Sequence, residues 1–464
     1  MNESVSAAVD SEMKGLISDL QTLIRQPSIS SKKQGLNECA SLVSQIMSKA
    51  GIKSEVLYLD GYEKNQKKEP IAPIVYGEVR SKKNPNAKTI LFYHHYDVQP
   101  EEPVEFWHAD PFSGNVEGNY IYGRGSADDK GELITRIKAV EYFLKTTGDV
   151  PCNVKFIVEG EEEIGSVNIE KYLFKYKQKF AADAVIWEFG YVDEKNRPII
   201  SLGMKGLLYV ELVARGPSRD VHSSLAVLIE NPAWRLVQAL NTIRSTNGKI
   251  LIKDWYKEVR DFTSDELDLI SKEPFDEQEF KRQYGVDKFV NDAREIEARK
   301  AIVGMPTCNI AGLIAGYRGE GAKTVLPSTA MAKIDFRLVP DMDPKRQLER
   351  LINHLKKYGF GADIEIKFIH GEAAARTTID QPFVKQVTDS AAETFGTKPI
   401  ISVSSSGTGP MHSFVKMLGG PCVSVGSTYT YARIHSPNEF AKIDLLNKAT
   451  KCIAAVIEKF GRLH

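Results

Sequence analysis

Helix and strand patterns alternate along the first part of the chain, and this alternation limits the fold more than any other feature of the sequence. The patterns run in the order helix 7–25, helix 39–50, strands 54–59, 74–79 and 89–93, helix 132–145, strand 154–158, helix 169–176 and strand 184–187. Strands that are separated by helices usually pair in parallel, with the helices packed on the faces of the sheet. The sequence therefore predicts an α/β domain with a mostly parallel central sheet and helices on both faces.

The pattern changes after Gly206. Residues 207–214 alternate between apolar and polar side chains, as expected for an antiparallel strand with one exposed face. The later patterns are helix 232–242, a charged helical tract at 254–299, strands 308–314 and 329–338, helix 344–357 and strand 363–368. We interpret 207–371 as an inserted α+β lid, and 1–206 and 372–464 as two segments of one catalytic domain.

Composition excludes several classes of function. The 464-residue chain is 42% hydrophobic and 26% charged, which is ordinary for a globular protein. Basic and acidic residues number 61 each, so no net positive charge attracts nucleic acid. No apolar run approaches the ~18 residues of a membrane span, and residues 1–26 lack the features of a secretory signal. The five scattered cysteines favour reduced thiols, so we expect a cytoplasmic protein. From the charge and the short apolar runs we expect no nucleic-acid or membrane partner.

His95-Tyr96-Asp97 follows the third strand pattern. In extended backbone, residues two apart point to the same side, so Asp97 can orient the imidazole of a metal-ligating His95. The alternative is a histidine that only satisfies hydrogen bonds at a strand end. Ligands of open α/β sheets bind at the carboxyl ends of the strands, which favours the metal site.

Glycines and small residues precede Asp128 in the segment Gly123-Arg124-Gly125-Ser126-Ala127-Asp128-Asp129. They permit a tight turn before a helix, which presents Asp128 as a carboxylate that bridges two cations. Two alternatives stay open. Asp128 or Asp129 caps the helix, or the glycines form a phosphate loop, although the GxxxxGK[ST] pattern is missing.

Acidic residues are concentrated in Glu159-Gly160-Glu161-Glu162-Glu163, directly after a strand pattern. Nearby cations would offset the repulsion among them, with Glu163 as a ligand and Glu162 as a general base. Glu188 ends another strand pattern and is a candidate terminal ligand, and His435 closes the set. A solvated acidic loop and an isolated loop histidine are the alternatives.

Four segments together resemble the di-zinc exopeptidase and deacylase family that includes carnosinase, cytosolic non-specific dipeptidase, glutamate carboxypeptidase, aminoacylase-1 and succinyl-diaminopimelate desuccinylase. The segments are HYDVQP at 95–100, GRGSADDKG at 123–131, EGEEEIGS at 159–166 and HSPNE at 435–439. The resemblance covers nearly the whole chain. It implies a zinc-exopeptidase-like catalytic domain that binds two divalent ions, with zinc as the first choice and manganese or cobalt as alternatives.

The resemblance also assigns the metal ligands. They are His95, Asp128, Glu163, Glu188 and His435. Asp128 would bridge both ions, His95 and Glu188 would complete the ligands of one, and Glu163 and His435 those of the other.

The same resemblance assigns catalytic and substrate-binding residues. Glu162 would be the general base and Asp97 the orienting acid, and a cis peptide bond is expected after Asp128. In the lid, His222 resembles the histidine that reaches the partner subunit's active site in dimeric relatives and steadies the oxyanion, and the alternative is a solvent-facing loop histidine. Arg337 resembles the residue that grips a substrate carboxylate, and the alternative is a structural cation on a strand. A homodimer formed through the lid is therefore expected.

The predicted function is metal-dependent hydrolysis of a terminal peptide bond in dipeptides or short peptides, of the dipeptidase or carboxypeptidase type. Relatives close to carnosinase usually carry aspartate at the position of Glu188, whereas carboxypeptidases and aminoacylases tend to carry glutamate. Residues 404–410 contain serines where the substrate loop of carnosinase-like members usually begins with arginine. The nearest alternative is an N-acyl-amino-acid deacylase of the aminoacylase or desuccinylase type, and the next is a non-catalytic peptide-binding protein.

Overall fold

The computed structural model describes residues 2–59 and 71–462. The chain divides into two compact units. The first comprises Met1–Gly203, Arg376–Val403 and Pro410–His464, and the second comprises Met204–Ala375 and Ser404–Gly409. The three-segment domain division made from the sequence stays a prediction. The return of Ser404–Gly409 to the second unit is a feature that the linear division does not contain.

An eight-stranded sheet forms the centre of the first unit. In spatial order its strands are Lys53–Leu57, Ile74–Val79, Asn153–Glu159, Thr89–His95, Ala184–Trp187, Cys422–Ser424, Ile199–Ser201 and Ile400–Ser402. The four central strands pair in parallel, and an antiparallel pairing flanks them on each side. The predicted α/β class with a mostly parallel sheet is confirmed.

Helices and short strands complete the first unit. The α-helices are Glu3–Ser11, Met13–Ile24, Leu36–Lys49, Lys130–Thr147, Ile169–Lys175, Lys177–Phe180, Pro382–Phe395, Met411–Leu418 and Ile443–Phe460. The 3-10 helices are Ser30–Lys32, Val104–Phe106 and Glu162–Ile164. A three-stranded sheet has the order Phe440–Lys442, Tyr120–Tyr122, Asn115–Glu117, and a parallel pair consists of Thr428–Tyr429 and Tyr191–Val192.

Helix Lys130–Thr147 is buried along most of its length, although it carries charged side chains. The Lys130 ammonium group donates to the carbonyl oxygens of Leu23 (3.0 Å) and Gln26 (2.8 Å), which lie at and just beyond the end of helix Met13–Ile24. A buried ammonium group is tolerated only with such partners. No helix within residues 2–59 and 71–462 has both the length and the apolarity needed to cross a bilayer.

A four-stranded antiparallel sheet forms the centre of the second unit. In spatial order its strands are Asn309–Ala315, Thr329–Leu338, Gly206–Arg215 and Ile364–Glu372. The other elements of this unit are α-helices Pro232–Ile243, Ser264–Lys272, Glu277–Tyr284, Glu295–Gly304 and Pro344–Lys357, 3-10 helices Ser223–Val227 and Val290–Asp292, and the strand pair Val221–His222 and Val325–Leu326. Two further strands, Gly203–Met204 and Ala375–Arg376, contain two of the four points at which the chain passes between the units.

The structure divides two predicted helices. The charged tract 254–299 contains three helices, because Thr263 forms a capping box that starts the first and Gly285 ends the second in the left-handed conformation. The predicted helix 7–25 is interrupted at Glu12, whose backbone is not helical (φ −103°, ψ 16°). The apolar periodicity of the first predicted helix continues across Glu12, so it does not reveal that break.

Strand Thr329–Leu338 supplies a direct test of the second unit's core. Ile334 is fully buried, whereas its neighbour Lys333 points to the exposed side of the strand. Ile334→Ala should lower the free energy of unfolding of this unit by about 2–5 kcal/mol, because it removes buried apolar contacts and leaves a cavity. Lys333→Ala, measured in the same denaturant titration, should change stability by less than about 0.5 kcal/mol. Equal effects would contradict the assigned strand register.

Candidate metal centre

The predicted ligands lie at the carboxyl ends of neighbouring strands. His95 is the last residue of strand Thr89–His95 and is in register with Glu159, the last residue of the adjacent parallel strand. Glu162 and Glu163 follow in a 3-10 helix, and Glu188 directly follows strand Ala184–Trp187. Parallel strands that end together gather these side chains at one edge of the sheet.

The Asp128 carboxylate lies between the two predicted histidine ligands. Its Oδ1 is 3.1 Å from His95 Nε2, and its Oδ2 is 3.1 Å from His435 Nε2. His435 Nε2 is also 3.1 Å from Glu163 Oε2. Two ligands that are each ~2.0–2.1 Å from a tetrahedral zinc ion lie roughly 3.3 Å apart. Each of these contacts therefore has the spacing of two ligands that share one ion.

Two groups of side chains have the composition and spacing of a cation site. The first group is Asp128, Glu163 and His435, and the second group is His95, Asp129 and Glu188. Within each group, one ligand atom of every residue lies within 4.8 Å of those of the others. The assignment of individual ions to the five predicted ligands stays a prediction. The structure does bring all five residues into these two groups.

Asp129 is a member of this arrangement that sequence reasoning did not select as a ligand. The cis peptide bond expected between Asp128 and Asp129 is present. Asp129 precedes helix Lys130–Thr147, but its side chain makes no capping hydrogen bond. Instead its Oδ2 lies 2.6 Å from His94 Nδ1 and accepts a hydrogen bond from the backbone N–H of His95. The sequence signals for this contact are the adjacent histidines His94 and His95, whose side chains alternate along the strand, and the adjacent aspartates Asp128 and Asp129.

Unpartnered oxygen atoms test whether divalent cations fit here. Glu188 Oε2 and Asp129 Oδ1 are buried and have no hydrogen-bond partner among the described residues, and the two residues are 4% and 0% exposed. A buried anionic oxygen without a partner is costly, and a bound cation removes that cost. Carboxylate oxygens with two imidazole nitrogens are the donors that zinc, manganese and cobalt accept. The residues present fit such ions.

The pKa shifts at this site report an excess of buried negative charge. Burial and the neighbouring Glu188 raise the pKa of Glu162 well above its usual value, and burial likewise raises the pKa of Glu188. Burial alone would lower the pKa of His435, but hydrogen bonds to Asp128 and Glu163 raise it to about 10. The carboxylates therefore draw positive charge toward this edge of the sheet.

Asp97 lies within hydrogen-bonding distance of two of the predicted metal ligands and of the predicted general base. Its carboxylate oxygens accept the backbone N–H groups of Glu162 (3.2 Å) and Glu163 (3.0 Å). His95 Nδ1 lies 3.0 Å from the backbone carbonyl oxygen of Asp97 and 3.5 Å from its carboxylate. Gln99 Nε2, which was not among the predicted site residues, donates to Glu163 Oε2 at 2.9 Å. Asp97 thus contacts both the histidine and the turn that bears the two glutamates.

The two predicted residues of the lid belong to the second unit. His222 is exposed, with Nδ1 2.8 Å from Ser224 Oγ and Nε2 3.1 Å from Thr324 Oγ1. Arg337 Nη1 donates to Thr408 Oγ1 at 2.7 Å, and Thr408 in turn donates to the backbone carbonyl of Gly206. Arg337 is therefore in contact with the serine-containing segment Ser404–Gly409 of the same unit. The roles of His222 and Arg337 stay predictions.

Comparison with known proteins adds independent evidence. The chain is 38% identical to the M20 family metallo-carboxypeptidase Sso-CP2 from Sulfolobus solfataricus, with a TM-score of 0.89 and full coverage of both chains. The Cys-Gly metallodipeptidase dug1 of Schizosaccharomyces pombe is 30% identical over 75% of this chain and 74% of that enzyme. The human Beta-Ala-His dipeptidase is 31% identical over 62% of this chain, and the alignment spans 57% of that enzyme's length.

The central sheet is mostly parallel, and carboxylates and histidines are clustered at its edge. Together with these relatives, this arrangement defines a metal-dependent hydrolase of the exopeptidase class. The sequence profile of peptidase family M20/M25/M40 matches residues 91–459. The chain belongs to this family. The predicted family and enzyme class are confirmed.

The shared position of Asp128 predicts unequal effects of ligand removal. Asp128→Ala should weaken the binding of both ions by roughly 100-fold or more, because the predicted bridging ligand would be lost from both sites. His435→Ala should weaken the binding of one ion by that factor and leave the affinity for the other ion close to the parental value. Competition titration with a zinc chelator measures both stoichiometry and affinity. If the two variants lost the same single ion, Asp128 would not be a bridging ligand.

Proposed function

We propose that this metallo-exopeptidase hydrolyses the terminal peptide bond of dipeptides or short peptides at a two-metal centre. The observation that carries the proposal is the Asp128 carboxylate, which turns one oxygen to His95 and the other to His435, close to Glu162 in a partly buried acidic site. Relatives named as a Cys-Gly metallodipeptidase, a Beta-Ala-His dipeptidase and a metallo-carboxypeptidase support a peptide substrate with a free end.

The residues of this chain have distinct tasks in the proposed reaction. When bound, the two cations supply Lewis acidity, which acidifies water and polarises a carbonyl group. His95, Asp128, Glu163, Glu188 and His435 hold them. Glu162 accepts the proton of the attacking water and returns it to the leaving amine. Asp97 keeps the Glu162–Glu163 turn in position through two backbone hydrogen bonds.

Zinc is the proposed native metal, with manganese or cobalt as alternative outcomes of a metal analysis. Two imidazole nitrogens among carboxylate oxygens suit zinc, which accepts mixed nitrogen and oxygen ligands in four-coordinate sites. A site of oxygen ligands alone would instead suit magnesium or calcium. The presence of His95 and His435 is thus the feature that supports this choice.

Arg337 is the proposed recognition group for the carboxylate end of the substrate. Its planar guanidinium group carries more donors than its contact with Thr408 uses, so it retains donors for a bidentate carboxylate. His222 is the proposed donor to the oxyanion of the other subunit's reaction. Its exposure within the second unit is compatible with a role across a subunit interface.

Homodimerisation through the second unit is supported by apolar side chains on its surface. Strand Asn309–Ala315 is an edge strand, and Ile310 and Leu313 on it are 49% and 53% exposed. On helix Pro232–Ile243, Trp234 is 67% exposed. An edge strand with exposed apolar residues offers a surface on which another chain can pair and pack.

The cytoplasm is the proposed location. All five cysteines are unpaired, and four of them, Cys39, Cys152, Cys422 and Cys452, are buried. Free thiols in this number are typical of proteins kept in a reducing compartment.

Glu162→Gln tests the chemistry. The amide cannot take up a proton, so turnover should fall by about 10²- to 10⁴-fold while binding of both ions stays near the parental affinity. The assay measures turnover of a panel of dipeptides, tripeptides with a free carboxyl terminus and N-acyl amino acids. Parental turnover in this variant would refute the general-base role. If the parental enzyme hydrolysed only the N-acyl amino acids of the panel, a deacylase would be favoured over a peptidase.

Leu313→Glu tests the dimer. A charge on the edge strand should convert a particle of twice the chain mass into a single chain, as measured by sedimentation velocity. Lys398→Glu, an exposed substitution in the first unit, is the control and should leave the mass unchanged. A parental protein that sediments as a single chain at micromolar concentration would contradict the proposed assembly. Loss of turnover on dissociation would support a role of His222 across the interface.

A further inference from the structure

Glu439 is a buried carboxylate that the proposed chemistry does not use. It lies four residues after His435, and only 1% of its surface is exposed. Its Oε1 accepts the backbone N–H groups of Ala127 (3.0 Å) and Asp128 (3.1 Å). Its Oε2 accepts the backbone N–H of Gly125 (3.2 Å). The turn before Asp128 is therefore built around this single carboxylate.

Arg124 supplies the balancing positive charge. Its Nη1 donates to Glu439 Oε2 at 2.8 Å, and its Nη2 donates to the carbonyl oxygen of Pro100 at 3.1 Å. The guanidinium group also lies 5.3 Å from the centre of the Trp107 ring. A buried carboxylate with a paired guanidinium and three backbone donors is fully satisfied, so its position is closely determined.

This carboxylate joins the two chain segments that carry ligands of one group. Asp128 donates its backbone N–H to Glu439, while its own side-chain oxygens face His95 and His435. The backbone carbonyl of Glu439 also accepts the N–H of Gly123, at the start of the same turn. The Asp128 turn and the His435 loop are thus held at a set distance by contacts that involve neither ligand side chain.

We propose that Glu439 is a positioning residue that sets the spacing between Asp128 and His435 and thereby the affinity of the metal centre. The inference rests on the proposed function of that centre. Groups that hold metal ligands from behind typically change metal affinity by 10–100-fold when they are altered. Glu439 acts through the backbone of Asp128 instead of through its carboxylate.

Glu439→Gln is the central test. The amide oxygen can still accept from Ala127 and Asp128, but the new NH2 group faces the N–H of Gly125 and the guanidinium of Arg124, so donors oppose donors. We expect the ion held by Asp128 and His435 to bind about 10–100-fold more weakly in zinc competition titrations, with the other ion affected less. The melting temperature of the metal-free protein is measured alongside.

Asp149→Asn is the matched control. Asp149 is also a buried carboxylate of the first unit, and it accepts the backbone N–H groups of Lys82 and Lys83, at 2.9 and 3.0 Å. It contacts none of the proposed metal ligands in the described structure. This variant should lose stability without losing affinity for either ion. If Asp149→Asn lost zinc affinity to a similar extent, general destabilisation would explain the loss in Glu439→Gln, and the inference would be overturned.

The outcomes separate the inference from the function on which it rests. If the parental protein binds fewer than two ions, the two-metal centre fails. If the parent binds two ions and Glu439→Gln binds both with parental affinity, only the positioning role fails. If Glu439→Gln does not fold, Glu439→Asp decides. It keeps the charge but shortens the reach, so weaker binding of one ion supports the inference and parental affinity for both ions overturns it.

Discussion

The first unit has to accommodate a concentration of negative charge at the carboxyl edge of its central sheet. Asp128 shares its two oxygens between His95 and His435, and Glu163 lies against the same imidazole. Such charges repel one another unless cations and hydrogen bonds compensate them. The surrounding structure supplies that compensation through backbone N–H groups, of which those donated to Asp97 and Glu439 are examples.

Much of the first unit follows from local signals in the sequence. The strand that ends at His95 contains a short apolar run followed by His94 and His95 as its last two residues, and this pattern indicates both the strand and the position of its site residue. Parallel pairing then brings the ends of neighbouring strands together, so the ligand positions could be inferred one strand at a time. Family resemblance linked His435 to this set, since no local signal connects it to Asp128.

Other features depend on contacts between distant residues, which local patterns do not encode. Asp129 lies close to His95 and Glu188, which come from the ends of two different strands. The return of Ser404–Gly409 to the second unit is decided by packing, including the contact of Thr408 with Arg337. Substrate preference is of the same kind, because the relatives include both a dipeptidase and a carboxypeptidase on one scaffold.

The Lys130 ammonium group connects the amino-terminal helices to the turn that carries Asp128. Its two acceptors, the carbonyl oxygens of Leu23 and Gln26, are more than one hundred residues earlier in the chain. Deleting helix Met13–Ile24 would therefore remove the Leu23 acceptor of a buried cation immediately beside Asp129 and leave Gln26 as its one acceptor among the described residues. Shortened versions of this enzyme made for crystallisation or fusion must retain that helix, even though it contributes no side chain to the proposed chemistry.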